Sequence, residues 1–146
     1  MFARVHAFLK NRKQTLESTS TMTPMFTFVG TRRAKVVRVY DGDTLFACFE
    51  LDGCFYQFRV RLTGIDAPEM KLAPNHPSRD QVKVLANAAK QELQSKVLDK
   101  IVKLECHGFD KYGRVLATVF VDNLNINNYL LEKGLVVPYD GGTKIH

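Results

Sequence analysis

Three short stretches carry side chains that could work together: Asp41-Gly42-Asp43-Thr44; Arg61 with Asp66 and Glu69; and Asp110-Lys111-Tyr112-Gly113-Arg114. Carboxylates are hard oxygen donors, so Asp43 and Asp66, if brought to one end of a sheet, would make a site for calcium or magnesium. Arginine's planar fork matches a phosphate better than lysine's point charge does, which suits Arg61 and Arg114 to an anionic phosphodiester. Two arginines, a metal and a further carboxylate, that of Glu69, make a phosphodiester-cleaving set. Each piece alone also has a plainer reading. Aspartate and glycine are ordinary turn formers, and the charges of residues 61 to 70 could be solvated loop charges.

The elements needed to position this set are readable from periodicity. From Ala34 the chain alternates with period two through residues 34–40, 44–51 and 54–62, each run rich in β-branched or aromatic residues, and these predict three strands. Asp52-Gly53 between the second and third predicts a type I′ hairpin. The third strand is expected to leave its pleat at Gly64, with Pro68 stiffening the exit that carries Asp66 and Glu69. Asp43 begins the second strand and Asp66 ends the third, so antiparallel pairing would bring them together, with Arg61 on the barrel surface beside them. Helical spacing follows, with Val82, Leu85, Ala89, Leu93 and Val97 on one face, Ser78 and Gln81 as a capping box, and a helix over about 79–98. Two further strands are expected over 101–107 and 115–121, joined by a polar turn in which Tyr112-Gly113 aims Arg114. A short helix near 126–133, capped by Gly134, completes the order β-β-β-α-β-β-α. That order predicts a mainly β, α+β fold: a five-stranded OB-type barrel with one long and one short helix.

Length and charge bound the rest. The chain of 146 residues suits one domain plus an arm. The net charge of +6 is unevenly spread: residues 1–34 hold six bases against one acid, and the remainder holds 15 bases against 14 acids. A nucleic-acid site in the body must therefore come from local placement of charge. Residues 1–33 read as a flexible basic arm, hydroxyl-rich over 17–24, with residues 34–146 as the folded domain. Residues 1–13 could form a short basic amphipathic helix through Phe2, Val5 and Leu9; a mitochondrial transit segment is the alternative to a plain tail. No apolar run is long enough for a membrane span or a clear signal-peptide core, which favours a soluble, intracellular protein. Cys48, Cys54 and Cys106 follow no zinc spacing and are read as reduced thiols. His107 has no partner at ligand spacing.

Two of the motifs above, taken in order, resemble the signatures of the staphylococcal nuclease-like, or thermonuclease, family. The first is Asp41-Gly42-Asp43-Thr44 followed by Arg61-Leu62 and Ile65-Asp66-Ala67-Pro68-Glu69; the second is Asp110-Lys111-Tyr112-Gly113-Arg114 with Leu116 and Ala117. The resemblance covers about residues 34 to 140. It implies that Asp43, Asp66 and the backbone carbonyl of Ala67 ligate calcium, and that Glu69 positions or deprotonates the attacking water. It implies further that Arg61 and Arg114 clamp the scissile phosphate, that Lys111 and Tyr112 hold the neighbouring phosphate, and that Tyr139 is the candidate for stacking on the nucleotide. The implied activity is a calcium-dependent endo- or exonuclease acting on DNA and/or RNA as a monomer and leaving 3′-phosphates. Ala67 stands where the best-known member has threonine, a change that matters little if only its carbonyl binds metal. Domains of this family also serve as catalytically silent nucleic-acid or protein binding modules, and a single-strand binder of OB type, with Tyr56, Phe58 and Tyr112 as platforms, is a further alternative.

Overall fold

The computed structural model describes residues 15–69 and 71–141. Five long strands make the barrel: β1 (Val29–Val39), β2 (Thr44–Leu51), β3 (Cys54–Leu62), β5 (Ile101–Phe109) and β6 (Val115–Val121). The chain also forms β4 (Ile65–Asp66), α1 (Arg79–Val97), β7 (Leu124–Asn125), α2 (Ile126–Glu132) and β8 (Val137–Pro138). β1 lies between β2 and β5, β2 pairs with β3, and β5 pairs with β6, all antiparallel. A parallel contact of β3 with β6, Val60 opposite Val115 and Leu62 opposite Ala117, closes the ring. Closure leaves these strands without a free edge and turns one side chain in two inward. Val36, Leu45, Ala47, Phe49, Val60, Leu62, Leu104 and Val119 fill the interior. The five-stranded OB-type barrel with two helices is thus the one expected from the strand order.

Asp52 and Gly53 take φ of 52° and 82°, the positive values that a type I′ hairpin requires. Gly134, at φ 70°, ends α2, its N–H donating to Leu131 O at 3.0 Å.

Several boundaries differ from the expectation. β1 starts at Val29 instead of Ala34, with Val29 to Arg33 paired against His107 to Lys103. The periodic reading missed this segment because Arg32 occupies a position where the alternation calls for an apolar side chain. Its guanidinium lies over the Phe28 ring, 4.4 Å from the centroid, and 5.4 Å from that of Phe49. Phe28 is itself buried and packs against Phe49, Phe58 and Phe109. The last residues of the expected arm therefore belong to the barrel. The helix expected within residues 1–13 lies outside the described residues.

α1 matches its expected span, but its inward face is Ala86, Ala89, Leu93 and Val97, with Leu85 57% exposed. Near its middle Ala89 closely approaches the turn between β1 and β2, where a Cβ on Gly42 would lie 2.7 Å from the Ala89 Cβ. The Ser78 capping box does not form; Ser78 at φ −104°, ψ 16° is outside the extended geometry that lets an N-cap side chain reach back, and it makes no side-chain cap bond. Among the described residues no helix is long and apolar enough to cross a membrane. Cys54 is exposed, Cys48 half-buried and Cys106 buried in β5.

Candidate active site

The turn from β1 to β2 fixes the first carboxylate. Tyr40 N–H and Asp41 N–H both donate to Thr44 O, at 2.9 and 3.2 Å, and Asp43 N–H donates to Asp41 Oδ1 at 3.1 Å. Leu62 N–H then donates to Asp43 O at 2.8 Å, tying the turn to the end of β3. The Asp43 carboxylate, in a residue 6% exposed, accepts Thr44 Oγ1–H at 2.9 Å and Ala67 N–H at 2.7 Å.

The second carboxylate arrives by a different route from the expected one. Asp66 does not end β3. The chain turns at Thr63 and Gly64, the latter at φ 76°, and Asp66 lies in the separate two-residue β4. That reversal folds Arg61 and Asp66 towards each other, with Arg61 NH2 3.2 Å from Asp66 Oδ1 and 3.4 Å from Asp43 Oδ2. Arg61 NH1 donates to Leu62 O and Ile65 O at 2.7 and 2.8 Å. Arg61 lies on the outer side of the barrel, as expected, but is buried beside the turn, 8% exposed. β4 pairs with β8, Asp66 opposite Val137, and Tyr139 N–H donates to Gly64 O at 3.0 Å. This short ladder carries the Tyr139 ring to 5.9 Å from the Arg61 guanidinium.

The loop from β5 to β6 is organised by Asp110. Its carboxylate accepts Tyr112 N–H and Arg114 N–H, both at 2.9 Å, and Arg114 Nε–H at 2.6 Å. Burial alone would push this carboxyl up, but the Arg114 and Tyr112 N–H groups and the Arg114 charge hold it below the ordinary range. Gly113, at φ 78°, allows the tight turn, and both Lys111 and Arg114 approach the exposed Tyr112 ring, at 5.1 and 5.4 Å.

One open cleft of about 930 Å³ joins the three pieces. Asp43, Arg61, Asp66, Ala67, Glu69, Lys111, Tyr112, Arg114 and Tyr139 all line it, with Glu69 on its exposed rim. The cleft also includes Tyr40, Asp41, Lys71, Asp110 and Asp140, to which the sequence reading gave no role. Asp41 and Asp110 stood inside the two motifs, and that was the available signal for them; Tyr40 and Asp140 had none. Of the other aromatics considered as platforms, Phe58 is stacked on Phe49 at 3.9 Å and is partly core, while Tyr56 lies outside the cleft lining. His107 Nε2 is satisfied by Thr118 Oγ1 at 3.0 Å.

Negative charge accumulates at the inner wall. Burial first, and then the charge of Asp43, push the Asp41 carboxyl up to about 6, only partly relieved by the Asp43 N–H bond and the Arg61 charge. Three carboxylates against one guanidinium make a hard-oxygen wall whose chemistry suits a divalent cation. Among the described residues, no three or more His, Cys, Asp or Glu side chains are disposed to enclose an ion. A cation here would therefore need a carbonyl, water or substrate to complete its shell.

The chain matches the family model described as "Staphylococcal nuclease homologue" over residues 59–144. It is 34% identical over 107 residues to an "Uncharacterized endonuclease" of Escherichia coli, covering 73% of this chain and 60% of that protein. It is 38% identical over 102 residues to a "Thermonuclease" of Staphylococcus intermedius, covering 68% of this chain and 55% of that one, and 33% identical over 101 residues to the "Thermonuclease" of Staphylococcus hyicus, covering 69% and 56%. The chain thus spans between half and two thirds of the length of these relatives.

Proposed function

The chain belongs to the staphylococcal nuclease family, and from that premise we propose that it is a calcium-dependent nuclease that hydrolyses DNA and/or RNA by attack of water on phosphorus, leaving a 3′-phosphate. The observation that carries the reading is the single cleft lined by Arg61, Arg114, Asp43, Asp66 and Glu69, contributed by three separate turns of the barrel. Asp43, Asp66 and the Ala67 carbonyl would hold the calcium, which when bound polarises a phosphoryl oxygen and makes water more acidic.

The remaining roles fall to the chain's own groups. Arg114, aligned by Asp110, and Arg61, pinned by two carbonyls, present positive charge where the phosphoryl oxygens gain negative charge in the transition state. Glu69 on the exposed rim takes the proton of the attacking water as its oxygen bonds to phosphorus. The bond from phosphorus to the 5′-oxygen breaks, and that oxygen is protonated by solvent. Lys111 and Tyr112 hold the adjoining phosphate, and Tyr139, held above Arg61 by the β4–β8 ladder, supplies a face for the base.

Incubating the protein with single-stranded DNA and RNA, in calcium and in excess chelator, tests this directly. Cleavage should stop in chelator and return with calcium, and the products should carry 3′-phosphates. Glu69→Gln should lower turnover by at least about 100-fold, the range of general-base contributions, while changing nucleotide affinity much less. Calcium should also raise the unfolding temperature of the wild type but not of Asp43→Ala. A wild-type protein that binds nucleotide without hydrolysing it would be a silent binding module.

A further inference from the structure

The outer face of the barrel beside the cleft has an order of its own. Arg38 stands opposite Phe46, and Phe46 opposite Arg59, across β1, β2 and β3. Their neighbours Leu45, Ala47 and Val60 point into the core, so the pleat sends these three outward. On β6, the parallel partner of β3, Arg114 precedes Val115 just as Arg59 precedes its register partner Val60. A row of outward positions therefore runs Arg38, Phe46, Arg59, Arg114 across four strands. The next row, about 7 Å along the strands at two residues' rise, holds Tyr40, Thr44, Arg61 and Leu116. Tyr40, Arg61 and Leu116 line the cleft, so the cleft opens onto the first row.

The charge of Arg38 and Arg59 in that row is uncompensated among the described residues. Arg61 and Arg114 are ion-paired, whereas among the described residues neither Arg38 nor Arg59, both exposed, is paired with a carboxylate. Each instead lies over a ring: Arg38 4.4 Å from the Phe46 centroid, Arg59 5.7 Å from that of Tyr40. The row beyond, Lys35, Cys48 and Gln57, brings another cation and no acid. With half of the chain's net charge of +6 carried by residues 1–28, ahead of the barrel, this concentration on one face is the local placement that a polyanion requires.

We propose that the outer face of β1, β2 and β3, through Arg38, Phe46 and Arg59, binds the flank of a single-stranded polynucleotide whose scissile phosphate lies in the cleft. The proposal rests on the nuclease reading above. Rings paired with arginines suit unpaired bases, whose π-faces are free to stack, while the guanidinium groups take the phosphates; a duplex keeps those faces in its own stack.

The test is the double variant Arg38→Gln/Arg59→Gln in full-length protein. It is compared with wild type on a labelled single strand of about 16 nucleotides, on the matching duplex and on a dinucleotide, which is too short to run from the cleft across Arg59 and Phe46 to Arg38. Binding is read by anisotropy in the Glu69→Gln background and hydrolysis as separate kcat and KM. Two lost phosphate contacts should make the slope of log affinity against log salt shallower by about 1.4 and weaken strand binding about 25-fold at 0.1 M salt. The loss should appear in KM for the strand and be far smaller for the dinucleotide. Phe46→Leu should weaken strand binding with no change of salt slope. Equal losses on strand and dinucleotide, an unchanged slope, or an equal loss on the duplex would each overturn the proposal. A wild-type protein that binds the strand through this row yet hydrolyses nothing would support the row and overturn the catalytic reading.

Discussion

Gly42 is buried in the turn that carries Asp43, and its surroundings leave no room for a methyl group. A Cβ placed there would lie 2.7 Å from the Cβ of Ala89 and 2.9 Å from the Cβ of Ala67. Carbon atoms at ordinary contact are about 3.5–4.0 Å apart, so in Gly42→Ala the turn and α1 must separate by close to 1 Å. Neither neighbour can swing aside, since a Cβ moves only with its backbone. Overpacking of this kind costs about 1–3 kcal/mol, and each kcal/mol should lower the unfolding temperature by about 4 °C in a domain of this size. Activity should suffer more than stability. The displaced turn carries Asp43, whose carboxylate accepts the Ala67 N–H, and a misplacement of about 1 Å at a reacting centre can cost about 100-fold. Urea unfolding and kcat/KM, both measured where the variant is fully folded, separate the two effects. Adding Ala89→Gly removes the shorter clash at the expense of about 1 kcal/mol of helix propensity, while the Ala67 contact remains. The pair should therefore be coupled by at least about 1 kcal/mol, with the double variant more stable than the single effects summed. A Gly42→Ala protein as stable and active as wild type, or strict additivity with Ala89→Gly, would refute the close approach.

Asp110→Asn removes the charge that aligns Arg114, and kcat/KM should fall about 10-fold or more as the charge-assisted bond to Nε weakens, with binding of dinucleotide changed less. Because the folded-state pKa of Asp110 is depressed, its contribution to stability is complete above the unfolded value of about 3.9 and is lost as pH falls through the lower folded value; wild type and variant should therefore differ in denaturant midpoint at neutral pH and converge in strong acid. Asn127→Ala should cost about 1–3 kcal/mol in urea unfolding, since this buried amide donates to Thr63 O at 2.8 Å and accepts Val119 N–H at 3.1 Å, and its loss strands both groups. Deleting residues 1–27 should preserve cooperative unfolding and turnover at saturating substrate while weakening long-strand binding at low salt. Deleting 1–33 should abolish folding, because it removes Phe28 and the first half of the β1–β5 ladder; a folded, active product would show that this half of β1 is dispensable.

The parts of this molecule that sequence periodicity exposed are those governed by burial alone. β2, β5 and β6 each alternate against one interior, and residue types at the motifs indicated which chemistry to look for. What stayed hidden depends on contacts between segments distant in the chain. Of the face expected to turn inward on α1, Ala89, Leu93 and Val97 are buried and Leu85 is exposed, with Ala86 in the buried row; the approach of Ala89 to Gly42 is a fact about the β1–β2 turn that helical periodicity does not carry. The Arg61 and Asp66 pair was legible as a pair, but the expected strand-end carboxylate assumed that β3 continues straight; Gly64 at φ 76° ends it and folds the two together. β4 and β8 are two residues long, too short for any period to register. Yet this small ladder sets Asp66 in β4 and Tyr139 just after β8, with the Tyr139 N–H on Gly64 O. The same few backbone bonds therefore position a carboxylate of the cation wall and the ring above the arginine clamp. A perturbation of β8 should thus disturb both, although neither side chain belongs to the barrel's interior.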